Sequence, residues 1–554
     1  MKKKILLAGA ILLILFNCGV KKMQSDLIIK NAAIFFSESN NNKNALVIKN
    51  GKIIKITSDK KISRYISKNT KVIDAQGNFV MPGFNDAHLH FTSGGLGLME
   101  LLLRDIKTPE TIAQMVKTKV SDLPDGELIK GRGWDHENFP DKKMPAKEIL
   151  DRVAPDNPVV LSRVDGHTIW VNSYVLEKSG IDKNTKSPFG GTIIKDQVTG
   201  ELTGILQESA CDLVKSEYRS GEVSYNRKKK AWLMAMEKAR RFGITSIQHL
   251  NGDYELLQDL KDENKLTLRV TFNMWLTDDG EILDQYLELR RKYPATNNWI
   301  RFGYLKGFID GTLGSRTALM FDPYYDDNST SGLAQMTYEE LEKKVITADK
   351  KGFQIGIHAI GTKGNRWILD AYKKAGQLNT NRDARHRSEH AQLLVPEDIT
   401  KFHSYGVIPS MQPTHCIMDK LFAEKRIGKT RCKTGYAWKS LLADDAKVAF
   451  GTDWPVAPMD PFLGLYAAVT RKDQNGKPAG GWIPEQKISI EQAIKCYTEN
   501  SAYAEFMEDR KGKIAEGYLA DIIILDKNLL EIEAEEILNT KVLYTIVDGE
   551  IVSP

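Results

Sequence analysis

Two histidines separated by one residue are the first feature of this sequence that could do chemistry. They are His88 and His90, in the stretch GNFVMPGFNDAHLH, where an apolar run passes through a Pro-Gly turn into the motif. Side chains two residues apart in a strand point to the same face. The pair would therefore present two imidazoles side by side, which is half of a metal site. The same spacing also occurs in polar loops, so other ligands must come from elsewhere in the chain.

Three further polar residues end short apolar segments. They are His358 in IGIHAIG, His390 in RSEHAQ and Asp453 in FGTDWP. In a barrel of parallel strands, the catalytic residues lie at the C-terminal ends of the strands. Histidines and an aspartate repeated at such positions predict a shared metal site rather than independent structural residues.

Alternating helix and strand patterns indicate the elements that position these residues. Capping-box sequences at Thr337 to Glu340 and at Ser489 to Gln492 predict the starts of helices. Helices alternating with apolar strands predict a parallel sheet, and eight such strands predict an α/β fold of the (β/α)8 TIM-barrel class. The eight predicted strands are residues 79–90, 244–250, 268–275, 300–310, 353–358, 385–390, 407–412 and 448–453.

Three segments fall outside this repeat. Residues 92–223 are too long for one crossover and predict an inserted subdomain over the barrel mouth. Both chain ends contain short strands, including a hairpin signal at Asn50-Gly51. Neither end can form a core alone, so residues 26–82 and 508–554 together predict a small composite β-sandwich, with the barrel at residues 83–507.

The first 18 residues are typical of a signal peptide. Three lysines precede an apolar core too short to span a membrane as a mature helix. The core ends at Cys18, in a pattern that resembles the lipobox of bacterial lipoproteins, although Asn17 departs from it. This predicts export, lipidation of Cys18 and membrane anchoring. A simple secretory signal or an uncleaved anchor are the alternatives.

The overall composition excludes some classes of function. With 78 Lys and Arg against 72 Asp and Glu, the net charge of +6 is too small to indicate a nucleic-acid partner. The cysteines after the leader are scattered without CxxC spacing, so they indicate neither a disulfide framework nor a zinc ribbon. The sequence leaves a homodimer open.

The chain resembles the amidohydrolase superfamily of metal-dependent hydrolases, in its N-substituted formamide deformylase-like branch. The resemblance covers essentially the mature chain. The motifs that carry it are PGFNDAHLH (82–90), DGTLGSRTA (310–318), GIHAIG (356–361), SEHAQ (388–392), GTDWPV (451–456) and GYLADIIILD (517–526).

This resemblance implies a (β/α)8 barrel with one or two divalent metals per chain, usually zinc. It implies that His88, His90 and Asp453 bind the first metal, and that His358 and His390 bind the second. Metal-activated water would attack the substrate. Asp453 would act as the general base, and His358 or a nearby donor would help to polarise the scissile carbonyl.

Superfamily members often bridge the two metals with a carboxylated lysine from the fourth strand. Lys306, in GYLKGFIDG, is the matching position. Carboxylation needs a neutral amine, which burial favours by lowering the pKa of the lysine. The alternative is an ordinary ion-paired lysine beside a single metal.

Other polar residues are candidates for contacts with substrate. His167 and Trp170, in VDGHTIW, match positions that face the pocket in this branch, and Arg316 could bind a substrate carboxylate or pair within the barrel. His249 ends the second strand and is predicted to support the ligands from behind. The remaining histidines are predicted to be structural or on the surface: His136, His386, His403 and His415.

These observations predict an enzyme that cleaves a non-peptide C–N bond, with a small-molecule linear amide (an N-acyl or N-formyl amine) as the expected substrate. A cyclic amidase or a deaminase of the same superfamily shares the ligand pattern. A non-catalytic surface binding lipoprotein is the alternative from another class, and it would be favoured by a missing ligand.

Overall fold

An eight-stranded parallel sheet is the centre of the computed structural model, which describes residues 24–36, 43–163, 168–189, 191–219, 223–380 and 382–553. Each strand pairs in parallel with the next one along the chain, as helical crossovers require. The strands are β1 (Phe84–Leu89), β2 (Ile244–His249), β3 (Arg269–Trp275), β4 (Ile300–Phe308), β5 (Ile355–Ala359), β6 (Arg387–His390), β7 (Ile408–Met411) and β8 (Ala449–Phe450).

The residues that follow β8 return to β1 and complete the barrel. The backbone N–H of Asp453 donates to the carbonyl oxygen of His88 at 2.7 Å. The backbone N–H of His90 donates to the carbonyl oxygen of Trp454 at 2.8 Å. Gly451 permits this approach, because a Cβ atom there would lie 2.6 Å from the backbone nitrogen of His88. Barrel closure therefore brings His88 in β1 and His90 just after it beside Asp453.

Amphipathic helices cover the barrel. In Tyr225–Arg241, for example, Trp232, Met236 and Ala239 are buried on the face that meets the sheet. Both predicted capping boxes are present. Apart from the four helices that accompany the inserted sheet, the α-helices of the described residues are Phe91–Leu98, Tyr225–Arg241, Tyr254–Asp262, Gly280–Lys292, Tyr338–Lys350, Thr362–Leu378, Pro396–Ser404, Pro413–Asp419, Ala423–Cys432, Trp438–Ala443, Pro461–Thr470, Ile490–Tyr497 and Glu499–Tyr503. None of the helices in the described part of the chain is long and apolar enough to cross a membrane.

Two smaller sheets share one apolar core. The first contains strands from the N-terminal end only, and the second combines strands from both ends of the chain. The Asn50-Gly51 hairpin is confirmed, with both residues at positive φ. One sheet contains, in spatial order, Lys52–Thr57, Ala45–Lys49, Leu27–Lys30 and Lys71–Asp74; the other contains Ala33–Ile34, Phe79–Pro82, Ile522–Leu525, Val542–Val547 and Glu550–Ser553.

The predicted first barrel strand, residues 79–90, is wrong in its start. Phe79–Pro82 pairs with Ile522–Leu525 in the end sheet, and the barrel strand begins only at Phe84. A continuous apolar run does not reveal where a chain passes from one sheet into another, since both strands are fully buried.

The segment between β1 and β2 forms a six-stranded sheet of its own, with two apolar cores. Its strands, in spatial order, are Gly191–Lys195, Leu202–Glu208, Thr168–Val171, Val159–Arg163, Ile129–Trp134 and Leu101–Leu102, and its helices are Pro109–Val120, Lys147–Asp151, Ser173–Lys178 and Ser216–Arg219. The predicted fold class, a TIM barrel with additional sheets, is confirmed.

Candidate active site

A cavity of about 400 Å³ opens at the C-terminal ends of the barrel strands. All six residues predicted as metal ligands line it, which places side chains from five strands or strand ends around one space. The full lining is His88, His90, Lys306, Phe308, Thr312, Leu313, Gly314, His358, Ile360, His390, Gln392, His415, Met418, Asp419, Phe422, Asp453 and Val456.

His88, His90 and Asp453 form one group able to hold a metal ion. Their donor atoms lie within 4.8 Å of one another. Asp453 Oδ1 is 3.6 Å from Nε2 of His88 and 3.4 Å from Nε2 of His90. This oxygen is buried and has no hydrogen-bond partner among the described residues. A bound cation would neutralise this oxygen in place of a hydrogen-bond donor.

A carboxylate behind His88 orients its ring. His88 Nδ1 forms a short hydrogen bond to Oε2 of Glu389, which is itself completely buried and paired at 2.6 Å with Arg387. The carboxylate holds the imidazole proton on Nδ1, so the lone pair of Nε2 faces Asp453. Carboxylates commonly orient metal-bound histidines in this way.

Hydrogen bonds also orient the rings of the histidines in β5 and β6. His358 Nε2 lies 3.1 Å from the carbonyl oxygen of Gly311, and His390 Nδ1 lies 2.8 Å from Oε1 of Gln412. Each ring donates its proton to this partner and keeps a lone pair on its other nitrogen. Both rings therefore keep one nitrogen that a metal ion could use, and the two predicted roles of His358 stay predictions.

Lys306 projects from β4 into the same cavity and is buried. Burial lowers its pKa to about 8, against the opposing charges of Glu389 and Asp453. A substantial fraction of this amine is neutral slightly above neutral pH, as carboxylation requires.

Burial also keeps the histidines in the form that binds metals. It lowers the pKa of His88 to about 4 and that of His358 to about 3, with the charge of Lys306 acting in the same direction. Both rings are neutral at pH 7. Burial raises the pKa of Asp453, but its histidine neighbours outweigh that effect and lower it to about 2. Neutral imidazoles around an ionised carboxylate are a donor set that fits a divalent metal.

Comparisons with known proteins identify the family. The sequence matches the model of the amidohydrolase family over residues 71–553. The chain belongs to this family.

The amidohydrolase is 34% identical to Protein LONG AFTER FAR-RED 3 of Arabidopsis thaliana over 545 residues, 96% of this chain and 92% of the relative. It is 24% identical to the N-substituted formamide deformylase of Arthrobacter pascens over 496 residues, 86% of this chain and 89% of that protein. A crystal structure of an uncharacterized metal-dependent hydrolase from Pyrococcus furiosus superposes with a TM-score of 0.74 at 29% identity, covering 91% of this chain and 100% of that one. The predicted superfamily is confirmed, and the protein is a metal-dependent hydrolase acting on C–N bonds.

Sequence reasoning missed three residues of this amidohydrolase site. Glu389 and Gln412 orient His88 and His390, and His415 lines the cavity although it was predicted to be structural or on the surface. His415 follows β7 by four residues, so its place after a barrel strand was an available signal. Glu389 was also visible, as a carboxylate inside a buried strand.

Several predicted residues lie away from the cavity or outside the described residues. Trp170 is fully buried within the insertion, against Trp134. Arg316 forms a bidentate ion pair with Asp326, at 3.0 and 2.9 Å. Neither is among the residues that line the cavity. His167 and Cys18 lie outside the described residues, so their predicted roles stay predictions.

His249 contacts the segment that follows His90 rather than the side chain of a predicted ligand. Its Nδ1 accepts the backbone N–H of Phe91 at 3.1 Å, and its Nε2 lies 3.1 Å from Asp253. These contacts fix the first turn of the helix that follows His90.

Proposed function

We propose that this amidohydrolase cleaves a linear, uncharged amide, an N-acyl or N-formyl derivative of an apolar amine, in a zinc-dependent reaction. The observation that carries the proposal is the buried, unpartnered oxygen of Asp453, which lies beside His88 and His90 at the floor of an open cavity. The similarity to an N-substituted formamide deformylase supports a linear amide.

A divalent metal held by this set would supply an activated water molecule near neutral pH. His88 and His90 would hold this metal together with Asp453, and the hydrogen bond of His88 to Glu389 leaves its Nε2 lone pair free for it. Carboxylated Lys306 would link this group to His358 and His390. Asp453 accepts the proton of the attacking water and delivers it to the leaving nitrogen. Its low pKa keeps it ionised, as a proton acceptor must be.

The walls of the cavity indicate the substrate class. Apolar side chains surround the ligands, among them Phe308, Leu313 and Phe422. Lys306 is the one lysine or arginine among the described residues of the lining. Apart from the metal ligands, the described lining therefore offers no side-chain cation to pair with a substrate carboxylate, and burying an unpaired carboxylate against apolar walls is costly.

A matched pair of amides tests this directly. N-acetylphenethylamine and N-acetylphenylalanine differ only by a carboxylate. With zinc-loaded protein we expect kcat/KM for the uncharged amide to be at least about 100-fold higher, and chelation to abolish turnover. Preference for the carboxylated amide would refute the uncharged substrate. Hydrolysis of lactams or deamination of aminated rings, without cleavage of linear amides, would refute the linear one.

We further propose that the protein is exported and anchored to a bacterial membrane through Cys18, which the lipobox-like sequence supports. In the native host, the mature protein should begin at an acylated Cys18 by mass spectrometry and should partition into detergent. The Cys18→Ser variant should lose both properties. An unmodified N-terminus in the wild-type protein would contradict the anchor.

A further inference from the structure

His415 occupies the cavity without a structural partner. It lies in the helix Pro413–Asp419 that follows β7 and is buried. Its Nε2 atom has no hydrogen-bond partner among the described residues. Burying an imidazole nitrogen without a hydrogen-bond partner destabilises the folded protein. A histidine with a purely structural role would be expected to have both of its nitrogens satisfied.

The nearest features of the site suggest what this nitrogen is for. His415 Nε2 lies 3.7 Å from Oδ2 of Asp453, and its ring is parallel to that of His390, with the centroids 6.0 Å apart. The donor atoms of His390, His415 and Asp453 lie within 4.8 Å of one another, as do those of His88, His90 and Asp453. The site therefore contains two groups of potential ligands that share one aspartate.

The two oxygens of Asp453 divide between these groups. Oδ1 faces His88 and His90, whereas Oδ2 faces His415. Ligands at about 2.0–2.2 Å from one metal ion stand roughly 3–4 Å apart, which is the spacing on both sides of the carboxylate. A neighbouring acid, Asp419, is engaged by the hydroxyl of Tyr436 at 2.8 Å and by Gln392.

We propose that His415 is a metal ligand, which holds a second divalent cation together with His390 and Asp453. Asp453 then bridges two ions, one through each oxygen. The His358–His390 pairing implied by the family resemblance is thereby extended by a residue from the seventh strand end. This proposal concerns metal binding alone and does not depend on the identity of the substrate.

Metal titration of the full-length protein tests the proposal without any turnover. The chelator-stripped wild type is titrated with Co²⁺, and its visible spectrum and isothermal heats are followed. We expect about two ions per chain. In His415→Ala the first ion should bind as in the wild type, and the second should bind at least about 100-fold more weakly with an altered spectrum. His90→Ala should weaken the first ion instead, and the exposed His403→Ala should match the wild type.

A second substitution guards against misfolding. His415→Gln places an amide near the position of Nε2 but offers a poor ligand, so it should show the same loss of the second ion with an unchanged circular dichroism spectrum. Two results would overturn the proposal. One is unchanged stoichiometry, affinity and spectrum in both variants. The other is a wild type that binds a single ion whose affinity neither variant alters.

Discussion

Both ends of the barrel contain a buried carboxylate, but within the described part of the chain only the one at the N-terminal end has hydrogen-bond partners for both of its oxygens. At the N-terminal end, Glu505 is buried and accepts contacts from Asn85 at 2.7 Å, Lys511 at 2.6 Å and Arg301 at 2.7 Å. Both of its oxygens are therefore engaged within the protein. At the C-terminal end, Asp453 is equally buried, yet its Oδ1 is left without a hydrogen bond.

This difference separates groups that stabilise the fold from groups that do chemistry. Burial raises the pKa of Glu505, but Lys511 and Arg301 lower it to about 2, so a fixed network keeps it ionised. Asp453 is also ionised, but no lysine or arginine forms an ion pair with it among the described residues, and burial keeps its neighbour His88 neutral. A paired buried charge is costly to break, whereas an unpartnered one is available to a ligand.

Asp453→Asn should produce the largest loss of activity. The amide keeps the shape but cannot accept the proton of the attacking water, so we expect kcat/KM to fall about 1,000- to 10,000-fold. The free energy of unfolding and the ion at His88 and His90 should be largely retained, since those two ligands remain, whereas the ion that Asp453 shares with His390 and His415 should bind more weakly. Activity assays, metal analysis and urea unfolding on the same preparation measure all three. Retained turnover would remove Asp453 from the proton-transfer role.

Glu505→Gln, at the N-terminal end of the barrel, should lower stability without lowering kcat. Removing the charge leaves Arg301 and Lys511 buried without their partner, so the free energy of unfolding should fall by about 3–5 kcal/mol. The molecules that remain folded should keep a normal kcat, because Glu505 is remote from the cavity. Urea unfolding and active-site titration separate the two effects. An unchanged stability would show that the network at this end is not structural.

The repeating parts of the molecule were the most predictable from sequence. Seven of the eight barrel strands lie where apolar runs and helix caps placed them, because periodicity and capping are local properties. Five of the six predicted ligands were visible as polar residues at the ends of apolar segments, whereas Lys306 lies within β4 and was predicted only from the family resemblance. With all six present, the condition that would have favoured a non-catalytic binding protein is not met.

What the sequence could not show depends on contacts between distant segments. The partner of His88 is Glu389, 301 residues away. Arg316 has an acidic partner only because a loop folds back to bring Asp326 to it. The division of residues 79–90 between two sheets is likewise decided by pairing with Ile522–Leu525. Local patterns predict elements and strand ends, but not which side chains meet.

Carboxylation of Lys306, at the C-terminal end of the barrel, should depend on pH. Its pKa, lowered from 10.5 to about 8, means that its neutral fraction rises from about a tenth at pH 7 to about nine tenths at pH 9. Because only the neutral amine is carboxylated, the carbamate signal in ¹³C NMR with constant ¹³C-bicarbonate should rise about tenfold over this range. Lys306→Arg should show no such signal. A wild-type protein without the signal at pH 9 would leave Lys306 as an ordinary lysine.

Arg316 should show the smallest effect, because it behaves like the paired charges of the N-terminal end although it lies near the active-site end. Its guanidinium is committed to Asp326, which Arg426 also contacts. We therefore expect Arg316→Ala to leave KM within about twofold and to lower the free energy of unfolding only slightly, because solvent screens an exposed ion pair. In an Asp326→Ala background, Arg316→Ala should lower the free energy of unfolding by less, since the partner of Arg316 is already absent. A tenfold rise in KM confined to carboxylated amides would instead return Arg316 to the substrate site, and would show that its ion pair opens when substrate binds.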